Sequence, residues 1–169
     1  MGDDVTPTHV RISYGRYGRI TFALPDHLND PLDHTNAFTY LDGKTHWAEV
    51  WAPLPAPFDG DWRLPGIDFN HWPEAYFQVA GRRGRLLVEI RERIGDGYRQ
   101  FAVGRNSNPH EFRDETPNEV IQIGEHTATV FPHEVWTSAK ATPLLQHWIR
   151  HGVLPSEVTL RALNLRTDR

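Results

Sequence analysis

The chain has 169 residues, 38% of them hydrophobic, with six Trp, eight Phe and five Tyr. That suffices for one domain around one sizeable core and is short for two. It has no cysteine, which excludes disulfides, thiolate nucleophiles and zinc sites with sulfur ligands, and no apolar run near the roughly eighteen residues that a membrane span requires. Net charge is −4, unevenly placed: residues 1–80 hold five Lys/Arg against eleven Asp/Glu, and residues 81–169 thirteen against eleven, so −6 and +2 make up the total. An acidic first half argues against nucleic acid as a partner and suits a basic protein.

The opening MGDDVTPTHV has neither a basic start nor an apolar stretch, so no secretory signal is expected and the cytoplasm is the expected location. HVRISY and RITFAL then alternate apolar and polar residues around a Gly-bounded turn, which predicts a hairpin over residues 9–24. Leu28, Leu32 and Phe38 follow at loosely helical spacing, but Pro31 limits any helix there to short turns. HWAEVWAP reads as a strand. After it Pro53, Pro55, Pro57, Gly60, Pro65 and Gly66 break up a long loop that carries Asp59, Asp61, Trp62, Asp68 and Trp72.

AYFQVAG, RLLVEIRER and YRQFAVGR are three alternating runs separated by GRRG and IGDG, the pattern of an antiparallel meander. Within the second run Leu87, Glu89 and Arg91 share one face, and Leu86, Val88 and Ile90 the other. A polar loop follows, and EVIQIG and TATVFP predict another hairpin across Glu125 and His126. Over residues 135–151 the period changes: Leu144, Leu145, Trp148 and Ile149 recur at three- and four-residue steps of a helix. Ser138 or Thr142 is the expected N-cap, with Pro143 near the start, where proline is tolerated. Gly152 and Pro155 stop the helix, and residues 157–163 read as a last strand. The expected fold is α+β: a single domain over 1–169, with a mostly antiparallel sheet of about six to seven strands and a C-terminal helix packed on it.

Several patterns admit a chemical reading. His147 and His151 stand four residues apart on the helix, so they share a face and are candidates for a metal pair, but no Glu lies between them and a third ligand is needed. Their plain reading is two imidazoles favoured by the helix C-terminus. His133 with Glu134, His71 with Glu74, and the run His110, Glu111, Asp114, Glu115 are each drawable as an acid–base pair. Arg82, Arg83, Arg85, Arg91 and Arg93 form a basic cluster, read either as phosphate contacts or as a solvated hairpin. Trp136 and Trp148 fit the core by pattern. Trp62 and Trp72 stand among carboxylates, where aromatic rings make protein-binding anchors.

The stretch VIQIGEHTATVFPHEVWTSAKATPLLQHWIRHGVLPSEVTL resembles the C-terminal half of the bacterial polymorphic-toxin immunity proteins that neutralise deaminase-type toxins. The resemblance rests on Phe131 and Pro132, Trp148 and Ile149, Gly152, Pro155 and Val158, and covers residues 75–163. Thr159 and Leu160 stand where that family places a Trp. The resemblance implies a non-enzymatic inhibitor that sits over the active site of a cognate protein toxin, with no cofactor, no metal and no catalytic residue. Deaminases that act on nucleic acid need basic substrate channels, so an acidic inhibitor face would speed association. On charge and aromatic content the expected partner-binding residues are Asp59, Asp61, Trp62, Asp68 and Trp72. The rival expectation is a small enzyme or ligand-binding protein, with an aromatic-lined pocket where a His and a carboxylate converge.

Overall fold

A computed structural model describes residues 7–25, 38–53, 75–106 and 116–163, together with the side chains among them except those of 7–8 and 21–25. Its main elements in chain order are β1 Pro7–Gly15, β2 Gly18–Pro25, β3 His46–Pro53, β4 Tyr76–Arg82, β5 Arg85–Ile94, β6 Gly97–Gly104, β7 Glu119–Ile123, β8 His126–Val130, β9 Val135–Trp136, α1 Ser138–His151 and β10 Thr159–Ala162. The fold is the expected antiparallel sheet with a C-terminal helix. Among the described residues the main sheet holds eight strands, where about six to seven are expected from sequence, in the order β10-β6-β5-β4-β3-β1-β2, with β9 paired to β5 outside that path. β7 and β8 form a separate hairpin. No helix is long and apolar enough to cross a membrane among the described residues.

Strict alternation in β4, β5 and β6 gives the sheet two apolar faces, as the period of two requires. One face carries Phe77, Val79, Leu86, Val88, Ile90 and Val103, and α1 lays Ala141, Leu144, Leu145 and Trp148 on it. Aromatic rings run through this core: Phe38 meets Trp51 edge-on at 5.5 Å, Trp51 meets Phe77 at 6.4 Å, and Phe77 meets Trp148 at 5.7 Å. Such pairs add to the area buried. On the opposite face Leu87 and Ala102 pack under Ile121 and Val130 of the β7–β8 hairpin, and Val10, Ile12, Val50 and Ala52 form a second cluster.

Two expectations about α1 need correction. Val135 and Trp136 are not its first turn: they pair with Leu87 and Leu86 as the short strand β9, and the buried Trp136 ring donates from Nε1 to the Val103 carbonyl at 2.7 Å. The N-cap is Thr137, without a side-chain cap bond. Ser138 is the first helical residue, and its amide and hydroxyl both donate to the Arg83 carbonyl, at 2.9 and 2.7 Å. This ties the helix start to the β4–β5 turn. Thr142 lies inside the helix and donates back to the Ser138 carbonyl at 2.8 Å. Gly152 ends α1 with φ +70°, the left-handed conformation that favours glycine after a helix.

Candidate functional site

The partner-binding residues expected from sequence, Asp59, Asp61, Trp62, Asp68 and Trp72, fall in 54–74, outside the described residues. The same holds for His71 with Glu74 and for His110, Glu111, Asp114 and Glu115. Pro53 and Ala75, between which the acidic segment runs in sequence, border a cavity of about 360 Å³ that also touches His9, Trp148 and Val153.

The densest polar constellation lies at the other end of β1 and β3. Glu49 is fully buried, held from three sides. Arg11 donates from Nε at 2.7 Å and from Nη2 at 3.1 Å. Ser13 Oγ lies 2.8 Å from both carboxylate oxygens, and His46 Nε2 is 2.6 Å from Oε1. The antiparallel register places them together: Ser13 faces Glu49 and Arg11 faces Trp51 across the β1–β3 pair, with the Arg11 guanidinium over the Trp51 ring at 5.9 Å. A buried carboxylate is tolerated only with such company, because desolvation of an unpaired charge costs several kcal/mol. Arg11, Ser13 and His46 also line a cavity of about 370 Å³, walled by Tyr17, Ile20 and Thr45.

This set superficially resembles a Ser–His–Glu arrangement, but the connectivity differs. In a nucleophilic triad the imidazole stands between hydroxyl and carboxylate and takes the hydroxyl proton. Here Ser13 and His46 both point at Glu49, so the carboxylate is the hub. Sequence reasoning overlooks it because its members stand 38, 36 and 3 residues from Glu49. Alternation places Arg11 and Ser13 on one face, but nothing local names β3 as their partner.

A second polar row crosses the opposite sheet face. Gln78 and Gln100 donate from Nε2 to Glu89 Oε2, at 2.9 and 3.1 Å, from the strands on either side of β5. Burial pushes the Glu89 carboxyl above the ordinary carboxylate range, against the stabilising hydrogen bond from Gln100 and the charge of Arg161. The neighbouring Tyr76 hydroxyl is pushed up to about 12, chiefly by burial and then by the charge of Glu89. On the same strand as Glu89, Arg91 stacks over the Tyr98 ring at 4.9 Å.

The remaining sequence candidates are separated or already engaged. Glu134 turns to Arg161, which donates from Nε at 2.6 Å and from Nη2 at 2.7 Å, and it also accepts from the Phe131 amide at 3.0 Å. His133 instead lies beside Phe131, with ring centroids 5.6 Å apart, so the His133 and Glu134 pair does not converge on a shared site. The rings of His147 and His151 face each other at 4.4 Å, and no group of three potential ligands occurs among the described residues. The basic cluster is divided: Arg82, Arg83 and Arg85 flank the β4–β5 turn, whereas Arg91 and Arg93 lie toward the other end of β5, roughly 20 Å away at the rise of a strand. Arg85 forms an ion pair with Glu119. Trp136 and Trp148 are core residues as expected. Comparison with protein-family models, with curated proteins and with solved structures gave no match.

Proposed function

We propose that the chain is an immunity protein: a scaffold that binds a cognate bacterial toxin domain, of the deaminase type, and occludes its active site without cofactor or catalysis. One observation carries this reading. The described carboxylates that lie out of water are engaged by the framework itself: Glu49 by Arg11, Ser13 and His46, Glu134 by Arg161 and the Phe131 amide, Glu89 by two glutamine amides. Groups so occupied brace strands, and they leave the surface as the place for recognition. The resemblance to the immunity family agrees with the same division. Trp148 lies in the core, Ile149 and Val158 pack against it, and Gly152 stops the helix, so those residues define the framework and leave the binding surface to other residues.

The test is affinity purification of tagged protein from its host through a moderate-salt wash, with mass spectrometry of what remains bound. A stoichiometric partner ending in a small basic toxin-like domain supports the reading, and charge reversal at Asp59, Asp61 and Asp68 is then expected to weaken that complex. A preparation without any partner overturns it.

The cavity of about 370 Å³ beside His46 and Glu49 favours one alternative, a small-ligand-binding protein or enzyme. Native mass spectrometry of the purified protein discriminates: a retained small molecule lost on Ile20→Lys would favour this alternative.

A further inference from the structure

We propose that the outer edge of β2 is a docking site for an extended acidic segment of a protein partner, which adds as a further strand and seats a large apolar side chain in the cavity beside it. The inference rests on the reading of the chain as a protein-binding module, and it names a surface and a partner chemistry that the acidic 54–74 segment does not supply.

Among the described residues no strand pairs with the outer edge of β2, which ends the sheet order. An unpaired edge presents a row of alternating N–H and C=O groups, and proteins that keep such an edge solitary blunt it with charge, proline or a bulge. Where β2 meets the cavity it carries Arg19 together with apolar surface: Ile20 is 61% exposed and Tyr17, in the adjoining turn, 89% exposed. Among the described side chains the helix-side core contains none from β1 or β2, and α1 approaches β1 at its far end, where His9 meets the Trp148 ring at 6.2 Å. Ile20 lies opposite Ser13 across the β1–β2 pair, on the side where the cavity of about 370 Å³ opens. An added strand presents alternate side chains to each face, so one of them falls over that cavity.

Charge selects the occupant. Five Lys/Arg occur in residues 1–80, and four of them, Arg11, Arg16, Arg19 and Lys44, belong to this hairpin and the turn beside it. Among the described residues the carboxylates there are Glu49, already bound to Arg11, and Asp42, whose side chain caps the turn by accepting the amides of Lys44, Thr45 and His46. The four cations against two carboxylates give these described residues a formal balance of +2, inside the half of the chain whose total is −6. An incoming strand with Asp or Glu on its solvent side matches this patch. Nucleic acid matches it less well, because a strand edge offers as many acceptors as donors, whereas phosphate oxygens only accept.

The probe is a fluorescein-labelled, terminally blocked peptide of alternating Glu and Val with a central Phe, beside its Lys-for-Glu counterpart and a labelled oligothymidine, titrated by fluorescence anisotropy. The acidic peptide is expected to bind best, to protect the β2 amides from hydrogen exchange, and to lose about tenfold in affinity, or 1.4 kcal/mol, on Ile20→Lys. Tyr17→Ser in the exposed turn is expected to weaken it as well, and unchanged circular dichroism of both variants separates lost docking from lost folding. Absence of binding, equal binding of both peptides, tighter binding of the oligonucleotide, or light scattering that shows β2 already buried in a dimer abolished by Ile20→Lys would each overturn the proposal. None of these measurements uses the toxin, so this inference and the proposed function fail separately.

Discussion

Arg161 grips Glu134 with two parallel bonds of 2.6 and 2.7 Å, joining the last strand to the short turn that precedes α1. The carboxylate is 1% exposed. Glu134 in turn holds the Arg161 guanidinium above its ordinary pKa, and that guanidinium lies over the Phe131 ring at 5.2 Å. Two-point pairing gives this contact direction as well as charge, which fixes how β10 returns to β6.

Removing one member of such a pair leaves the other uncompensated. Arg161→Ala is therefore expected to destabilise the fold by about 3 kcal/mol, the low end for a buried pair because the arginine is partly exposed. Replacing both members, Arg161→Met with Glu134→Leu, is expected to cost less than the single change. Urea unfolding of the three variants measures the difference, and equal losses would show that the pair acts only through side-chain packing.

Ser13 offers a cleaner version of the same measurement at the other buried carboxylate. Its hydroxyl lies 2.8 Å from both oxygens of Glu49. Ser13→Ala removes one donor and leaves Arg11 and His46 in place, so a loss of about 2 kcal/mol is expected, as for a hydrogen bond to a charged group. Glu49→Leu removes the acceptor that Arg11 and Ser13 share and should cost more. A negligible effect of Ser13→Ala on the urea midpoint would mean that water replaces the hydroxyl.

Glu89 gives stability a pH dependence whose sign follows from its raised carboxyl. In the unfolded chain this group releases its proton near the ordinary value of 4.5, and in the folded chain only at higher pH. Between the two the native state binds more protons, so stability falls as pH rises through that interval. Glu89→Gln keeps a carbonyl acceptor for Gln78 and Gln100 and removes the titration. The variant is expected to be more stable than the parent at neutral pH and to lose that part of the slope, measured as urea midpoints from about pH 4 to about pH 8.

Much of the framework is legible in the sequence because its signals are local. HWAEVWAP spans the residues of β3, and the meander from β4 to β6 follows from alternation interrupted by two Gly-containing turns. The start of α1 is obscured for a tertiary reason: Val135 and Trp136 continue the apolar pattern of the helix, but a strand of two residues has no period, and its partners are Leu86 and Leu87 about fifty positions earlier. Ser138 looks like a cap, yet its hydroxyl serves the Arg83 carbonyl, 55 residues away. Glu49 illustrates the same difficulty at the polar hub. A lone glutamate in an apolar strand shows that something must neutralise it, but the identity of Arg11 and Ser13 depends on which strand lies next to β3, and pairing over more than thirty residues leaves no trace in either segment. The acidic aromatic segment, read from composition alone, lies outside the described residues and so remains an expectation.

The β7–β8 hairpin provides a last test, because its seat on the sheet depends on a missing side chain. Gly81 in β4 has φ +118°, a conformation that side chains with Cβ rarely adopt, and a Cβ built there would stand 2.5 Å from the Arg85 carbonyl and 2.7 Å from Ile121 Cγ2. The carbonyl belongs to the strand paired with β4 and cannot retreat without breaking that ladder, while Ile121 is 1% exposed within the cluster under the hairpin. Gly81→Ala thus combines backbone strain with overpacking, and a loss of at least about 2 kcal/mol is expected. Because Ile121 Cγ2 supplies one of the two clashes, the informative background is Ile121→Ala, which removes that atom: Gly81→Ala should cost less there than in the parent if the clash matters, and the same if the backbone alone decides. Thermal unfolding of the single and double variants separates the two, and a Gly81→Ala variant as stable as the parent would show that β4 adopts a different backbone conformation at this position.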